Sequence, residues 1–452
     1  MRRALGPIDQ AFLWLERRQQ PMHVGGLMLF KIPADAPANF IQEVAAQFKA
    51  VTPPVRPFNQ RLDGMFWDED DEFDLEHHFR HIALPEPGRV RELLAYVSQE
   101  HSALLDRAKP LWECHLIEGI EGNRFALYFK MHHAVIDGIA GMRIAQKSLS
   151  TDPNHKAAVP LWAIKRDKRP KAETTAINNF AETINRLRHQ ASSVPKVAKE
   201  LYQAIKASYE HDPDYVSVFQ APKSILNQRV SGSRRFAAQS YDFTRIKAIC
   251  KKLGVTINDV VMAMCAGALR TYLLYLDALP KKPLIAMVPM SLRKDDSDAG
   301  NQITMILANL GTHLADPLER LDIIHRSVQN AKDRFCRMTQ SEIMAYSALV
   351  YSIAGLNLLT GIAPKLQAFN VVISNVPGPK EPMYWNGAEL DGFYPVSIVL
   401  DGMALNITLT SYVDRLEFGL IACRKALPSM QRLLGYLTDA LDELEQAAKF
   451  VN

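Results

Sequence analysis

The chain has 452 residues, 48% apolar and 23% charged, with 53 Lys and Arg against 49 Asp and Glu for a net charge of +4. This composition excludes wholesale disorder and predicts two or three domains with substantial cores. So small a charge over this length argues against a nucleic-acid partner. Cys114, Cys250, Cys265, Cys336 and Cys423 stand far apart with no CxxC spacing. That argues against a zinc site or a disulfide framework and suits a reducing, cytoplasmic setting.

In chain order, Arg2 and Arg3 imitate a secretory signal, but the apolar run Ala11–Leu15 is too short and Glu16, Arg17 and Arg18 follow at once. Asp9 reads as the cap of a short amphipathic helix. Val24–Ile32 reads as an apolar strand, and Val90–Leu105 as a helix with Leu93, Leu94, Val97 and Leu104 at helical spacing. Phe125–His133 is expected to be a strand and Gly138–Leu149 a helix. From Thr151 to Gln228 prolines recur beside the basic run KRDKRPK (Lys165–Lys171), with weakly amphipathic stretches at Asn178–Arg188 and Val197–Tyr209. This is a partly helical connector, taken as 161–228 between lobes 1–160 and 229–452.

Alternation resumes near Arg234. Helices are expected at Asp259–Leu276, Pro317–Arg334 and Leu427–Ala448, and strands at Leu284–Pro289 and Phe369–Ser374. Leu405–Tyr412 and Leu416–Cys423 form a hairpin around Val413–Arg415. Ile343–Ala363 is uncharged and long enough to cross a bilayer. Ser347, Ser352, Gly355, Asn357, Thr360 and Gly361 dilute it and Pro364 ends it, so it reads as a buried or lipid-facing helix rather than a span.

The glycines form no GxGxxG loop and no GxSxG elbow, and neither HExxH nor GxxxxGK[ST] occurs. Rossmann, α/β-hydrolase, zincin and P-loop chemistry therefore lose their signatures. The acidic run Asp68–Glu76 reads as a solvated loop, and His77, His78 and His81 as structural or surface residues; no metal is expected. The informative segment is FALYFKMHHAVIDGIAG, Phe125–Gly141. On an extended Phe125–His133, the odd-numbered residues share one apolar face and Ala126, Tyr128, Lys130 and His132 share the other. His133 then sits at the end of a buried strand, before the Asp137–Gly138 turn. A desolvated imidazole stays neutral near pH 7 and accepts a proton from a hydroxyl. The competing reading is a buried, hydrogen-bonded histidine without chemistry.

HHAVIDG matches the HHxxxDG motif of CoA-dependent acyltransferases. Further segments in order are FLWLERRQQPMHVGG (Phe12–Gly26), RAKPLWECHLIEG (Arg107–Gly119), TINDVVMAMCAGALR (Thr256–Arg270), VPMSLR (Val288–Arg293), GNQITMILANL (Gly300–Leu310) and NVVISNVPGPKEPMYWNGA (Asn370–Ala388). With these the chain resembles the bacterial wax ester synthase/acyl-CoA:diacylglycerol acyltransferase family from about Pro7 to Leu444. A lone HHxxxDG also occurs in condensation domains and chloramphenicol-type acetyltransferases.

The resemblance implies an α/β fold of two chloramphenicol-acetyltransferase-like lobes, each an α+β sandwich, with an active-site tunnel between them. It implies acyl transfer from acyl-CoA, a co-substrate rather than a cofactor, to a fatty alcohol or diacylglycerol, at a membrane or lipid-droplet surface. His133 would be the base, with no acyl-enzyme, His132 supporting, and Asp137 structural, paired with an arginine such as Arg293. Asn258 is either an oxyanion donor or the cap of the following helix. Ser374 and Asn375 line the tunnel or belong to the turn at Pro377–Gly378. Pro110, Leu111 and Trp112 are expected to pack at a strand start. Gly25 and Gly26 either admit an acyl chain or mark a bulge, the bulge being favoured, and Gly138 is a substrate contact. KRDKRPK either faces phosphates or is solvated.

Overall fold

The computed structural model describes residues 2–157, 159–165, 216, 220–292, 302–338, 343, 346 and 367–451. The first half of the chain runs β1 (Arg3–Ala4), α1 (Pro7–Leu15), β2 (His23–Lys31), α2 (Phe40–Lys49), β3 (Gln60–Asp63), β4 (Phe66–Glu69), β5 (Phe79–Ala83), α3 (Val90–Glu100), β6 (Trp112–Ile120), β7 (Arg124–His132) and α4 (Gly138–Lys147). The second half runs β8 (Arg234–Asp242), α5 (Phe243–Leu253), α6 (Ile257–Tyr275), β9 (Ile285–Leu292), β10 (Gln302–Asn309), α7 (Pro317–Arg337), β11 (Val371–Val376), β12 (Tyr384–Trp385), β13 (Ala388–Val396), β14 (Leu405–Tyr412), β15 (Arg415–Cys423) and α8 (Arg432–Lys449). Two six-stranded mixed sheets result, ordered β12-β13-β2-β7-β6-β5 and β10-β9-β11-β14-β15-β8, beside a small sheet β1-β4-β3. The chain is thus a two-lobed α/β protein.

Period-two patterning explains the first sheet. Phe125, Leu127, Phe129 and Met131 of β7 bury in the first-lobe core with Phe30, Phe48 and Trp162. Ala126 and Tyr128 face the seam between the lobes, against Phe236 and Ile421 of the second sheet. Pro110, Leu111 and Trp112 are buried at the start of β6, where Trp112 Nε1 donates to Phe58 O at 2.8 Å.

Two devices join the lobes. First, β12 and β13 come from the second half yet complete the first sheet, β13 pairing antiparallel with β2. Residues 1–160 therefore do not close their own sheet. Second, β8 is an edge strand, and its N–H groups at Arg234 and Phe236 donate to Ser102 Oγ and Ser98 Oγ, each at 2.8 Å. Ser98 lies in the last turn of α3 and Ser102 just past its end, and they meet N–H groups two residues apart on the strand, whose spacing is about 6.7 Å. The serines thus close an edge that would otherwise be open to pairing.

Helix α6 is long and apolar enough to cross a membrane, but 72% of its most apolar stretch is buried. It packs in the second-lobe core with Leu321 and Ile324 of α7 and Leu437 and Leu441 of α8. A helix apolar on every side is a core helix when its neighbours cover it. Its start corrects one expectation: Thr256 is the N-cap, in a capping box with Asp259, so the helix begins ahead of Asp259. Likewise Gly6, not Asp9, caps α1; Asp9 lies in its first turn, where a carboxylate favours the helix dipole. Helix α3 ends at Glu100, short of Leu105. Asn178–Arg188, Val197–Tyr209, all of KRDKRPK beyond Lys165, Arg293, and Ile343–Ala363 apart from Ile343 and Tyr346 lie outside the described residues.

Candidate active site

Strand β7 ends at His132, and His133 opens the short link to α4. The His132 N–H donates to Leu111 O at 2.9 Å and the His133 N–H to Met22 O at 2.8 Å, so the segments leading into β6 and β2 hold both histidines in place. The half-buried His133 ring stacks on Phe12 of α1 with centroids 4.1 Å apart and planes at 19°. Burial pulls its pKa down to about 4, against the opposing pull of Asp137. The ring is neutral at pH 7 and carries one nitrogen lone pair that accepts a proton.

Asp137 is the N-cap of α4, where its Oδ1 accepts the Ala140 N–H at 2.8 Å. It therefore holds the end of the link and adds a negative charge near His133. A side chain at Gly138, the first residue of α4, would meet nothing within 4 Å. That position borders open space.

His132 faces the other way, as alternation requires, and is fully buried. Its Nδ1 accepts the Ala134 N–H at 3.1 Å, which puts the ring proton on Nε2. Nε2 lies 3.4 Å from Glu16 Oε1, on a carboxylate whose side chain is 2% exposed. Glu16 also accepts the Met22 N–H at 3.1 Å, and Arg107 donates to its Oε2 from Nε at 3.1 Å and Nη2 at 2.9 Å. Burial alone would raise the Glu16 pKa; the His132, Met22 and Arg107 contacts outweigh it and hold the carboxyl below its usual range.

The same face of β7 carries Lys130, fully buried, which donates to Glu100 O at 3.0 Å and Ala103 O at 3.2 Å and pairs with Glu113 at 3.1 Å. Burial would raise Glu113, but His115, Lys130 and Arg80 outweigh it and hold the carboxyl at about 2. Glu100, Glu113 and His115 are the one grouping of metal-ligand types among the described residues, and Lys130 and Arg80 already balance its charge. His78 instead stacks on Trp112 and bonds its main-chain oxygen at 2.8 Å.

In the second lobe Asn258 is the second residue of α6, half-buried, and its Oδ1 accepts a bond from Asn375 Nδ2 of β11 at 2.9 Å. Since Thr256 and Asp259 do the capping, the Asn258 amide is spared that task. Its Nδ2 makes no hydrogen bond among the described residues and remains a donor. Ser374, beside Asn375 in β11, is also half-buried. The turn after this strand has a packing cause: a Cβ on Gly378 would stand 1.9 Å from Ser411 O. The structure thus makes two groups, His132–His133–Asp137 and Asn258–Asn375, with no hydrogen bond between them among the described residues.

The sequence model of the wax ester synthase/diacylglycerol acyltransferase catalytic domain matches residues 5–261, and that of the C-terminal domain matches residues 299–445. The chain belongs to the wax ester synthase/diacylglycerol acyltransferase family. It is 61% identical to the O-acyltransferase WSD of Acinetobacter baylyi, over 98% of this chain and 97% of that protein. The solved structure of the wax ester synthase/diacylglycerol acyltransferase from Marinobacter aquaeolei VT8 superposes with a TM-score of 0.82 at 48% identity, covering 99% of this chain and 100% of that one. The starter condensation domain of rhizomide synthetase shares the fold alone, with a TM-score of 0.56 at 10% identity over 99% of this chain and 94% of that one. The chain is an acyltransferase, and its HHxxxDG segment is the one built above.

Sequence reading missed how α1 serves this acyltransferase site. Phe12 and Glu16 stand one turn apart and so share a face. That face meets consecutive residues: Phe12 touches His133 and Glu16 touches His132. The available signal was an acid one turn after an aromatic, at the C-terminal end of a largely apolar helix. The favoured bulge at Gly25–Gly26 is absent, since β2 and β7 pair without a break from His23↔His132 to Lys31↔Arg124. A Cβ on Gly25 would stand 2.2 Å from Phe129 O, and one on Gly26 2.6 Å from the Phe129 ring. Close approach of β7, not a bulge, is what requires glycine there.

Proposed function

We infer that this acyltransferase moves a long-chain acyl group from acyl-CoA to a fatty alcohol, giving a wax ester, or to diacylglycerol, giving triacylglycerol. One observation carries the mechanism: His133 is a neutral, half-buried imidazole held by a main-chain bond and a ring stack at the end of β7. It takes the hydroxyl proton of the acceptor as the oxygen attacks the thioester carbonyl. The new C–O bond forms, the C–S bond breaks, and the same proton passes to the departing CoA thiolate. The ring returns to its starting state, so neither an acyl-enzyme nor a cofactor is needed.

The oxyanion of the tetrahedral intermediate requires donors, and the spare N–H of Asn258, set by Asn375, suits that role. Substrate access at the seam is supported by a cavity of about 490 Å³ lined by Arg18, Gln19 and Ser102 of the first lobe and Gly232 and Ser233 of the second. The acyl chain and both acceptors are apolar while the CoA head is charged, so the enzyme works in the cytoplasm against a membrane or lipid-droplet surface. Support for that contact comes from exposed Trp14 (70%), Met65 and Phe66, with Arg2 over the Phe66 ring. Free thiol release from palmitoyl-CoA tests the reading. It should rise on adding hexadecanol or a diacylglycerol, and no release above the acceptor-free control contradicts it.

A further inference from the structure

A second cavity, of about 240 Å³, lies at the opposite end of the lobe seam from His133. Arg124, on its wall, is the first residue of β7 and His132 the last, about 27 Å apart in an extended strand. One side is apolar: Leu27 and Leu29 of β2 against Leu93 and Leu94 of α3. The other side carries Arg124 and Arg415 with Ser240, Asp391 and Tyr394.

The polar side is a built arrangement. Strand β13 shifts register against β2 between Leu390 and Gly392, so Asp391 is a bulged residue. A bulge re-aims a side chain, and this one serves three cations. Lys31 lies 3.1 Å from Asp391, Arg124 3.5 Å and Arg415 3.7 Å. Glu417 stands next to the same group, fully buried, its Oε1 3.4 Å from Arg415 Nε without a hydrogen bond. Its other oxygen accepts from Ser240, which also bonds the Tyr394 hydroxyl at 3.0 Å. The ring of Tyr394 lies where a side chain at residue 392 would stand, which Gly392 permits. Burial pushes Glu417 up to about 7. Lys31, Arg124 and Arg415 thus stand against two carboxyl groups, Asp391 and Glu417, and the excess is positive.

We propose that this cavity binds a fatty carboxylate, its head at Arg124 and Arg415 and its tail between α3 and β2. The geometry fits each part: a forked guanidinium pair for the carboxylate, a leucine wall for the chain, and a volume below the 300–1,000 Å³ typical of larger ligands, which selects a medium-length tail. Because Ala238 and Arg415 come from the second lobe and the leucines from the first, the ligand ties the two lobes together. This site is separate from the acyl-transfer reading and does not depend on which alcohol is the acceptor.

Calorimetric titration of the intact protein with octanoate, octanol and octylammonium tests it. Octanoate should bind one saturable site at least tenfold more tightly than either analogue and raise the melting temperature. Arg124→Gln and Arg415→Gln should each weaken octanoate binding about tenfold while acyl transfer stays within twofold. Equal affinity for octanoate and octanol, or unchanged octanoate binding in both variants, overturns the proposal. If either variant fails to fold, photolabelling of the wild type with a diazirine fatty acid decides. Label on the α3 peptide with Leu93 and Leu94 supports the site, and label confined to the His133 segment overturns it.

Discussion

Glu16 Oε1 lies 3.4 Å from His132 Nε2, while Oε2 of the same carboxylate takes two N–H bonds from Arg107. Through this contact the C-cap of α1 fixes His132, and one turn earlier Phe12 covers the His133 ring. Glu16→Gln keeps the shape and removes the charge. It should lower kcat on the order of tenfold, the scale for losing a residue that orients another group, with KM for acyl-CoA little changed. An equal loss in KM would mean that Glu16 shapes substrate binding instead.

Acid sensitivity follows from the buried histidines. Burial lowers His133 to about 4, His101 to about 3, and His23 well below its ordinary value. Above pH 6.5 both folded and unfolded chains hold these rings neutral, and no stability is at stake. Below it the unfolded chain takes protons first, so stability falls as pH drops from about 6.5 toward the folded values. Urea midpoints from pH 8 to 4 should therefore decline below 6.5. Over the range where the fold persists, kcat/KM should show no acid limb near 6.5; a limb there would mean that His133 is solvated.

Asn258 and Asn375 should act as a unit. Asn258→Ala should lower kcat on the order of 10²–10³-fold, the scale for one oxyanion donor, with acyl-CoA binding little affected. Asn375→Ala should cost less, and the double variant no more than Asn258→Ala alone. Additive losses would separate the two roles.

The glycines of β2 make a prediction about stability. Gly26→Ala meets the Phe129 and Phe393 rings, which can shift, and should cost about 1–3 kcal/mol. Gly25→Ala meets the main-chain oxygen of Phe129 and should cost more. Denaturant titration checks the order. Intact stability with an altered acyl-chain preference would instead place these residues on the substrate path.

Period-two and helical spacing made much of this legible. The faces of β7 and the hairpin from Leu405 to Cys423 follow from alternation alone. Helix ends were less legible because caps compete locally: Thr256 with Asp259 outdoes Asn258, and Gly6 outdoes Asp9. Long-range placement left no trace in local pattern. Nothing around Ala388–Val396 shows that β13 pairs with β2 in the other lobe, and nothing around Glu16 shows that it reaches His132. Such contacts are set by topology, which spacing does not encode. HHAVIDG was readable because strand, turn and helix start are consecutive.

We propose that His133 alone moves the proton. Acceptor-dependent thiol release should be compared for His133→Ala and His132→Ala, both shown to be folded. No measurable turnover is expected for the first and reduced but clear turnover for the second, whose ring faces Glu16. Equal residual rates in the two variants would contradict it.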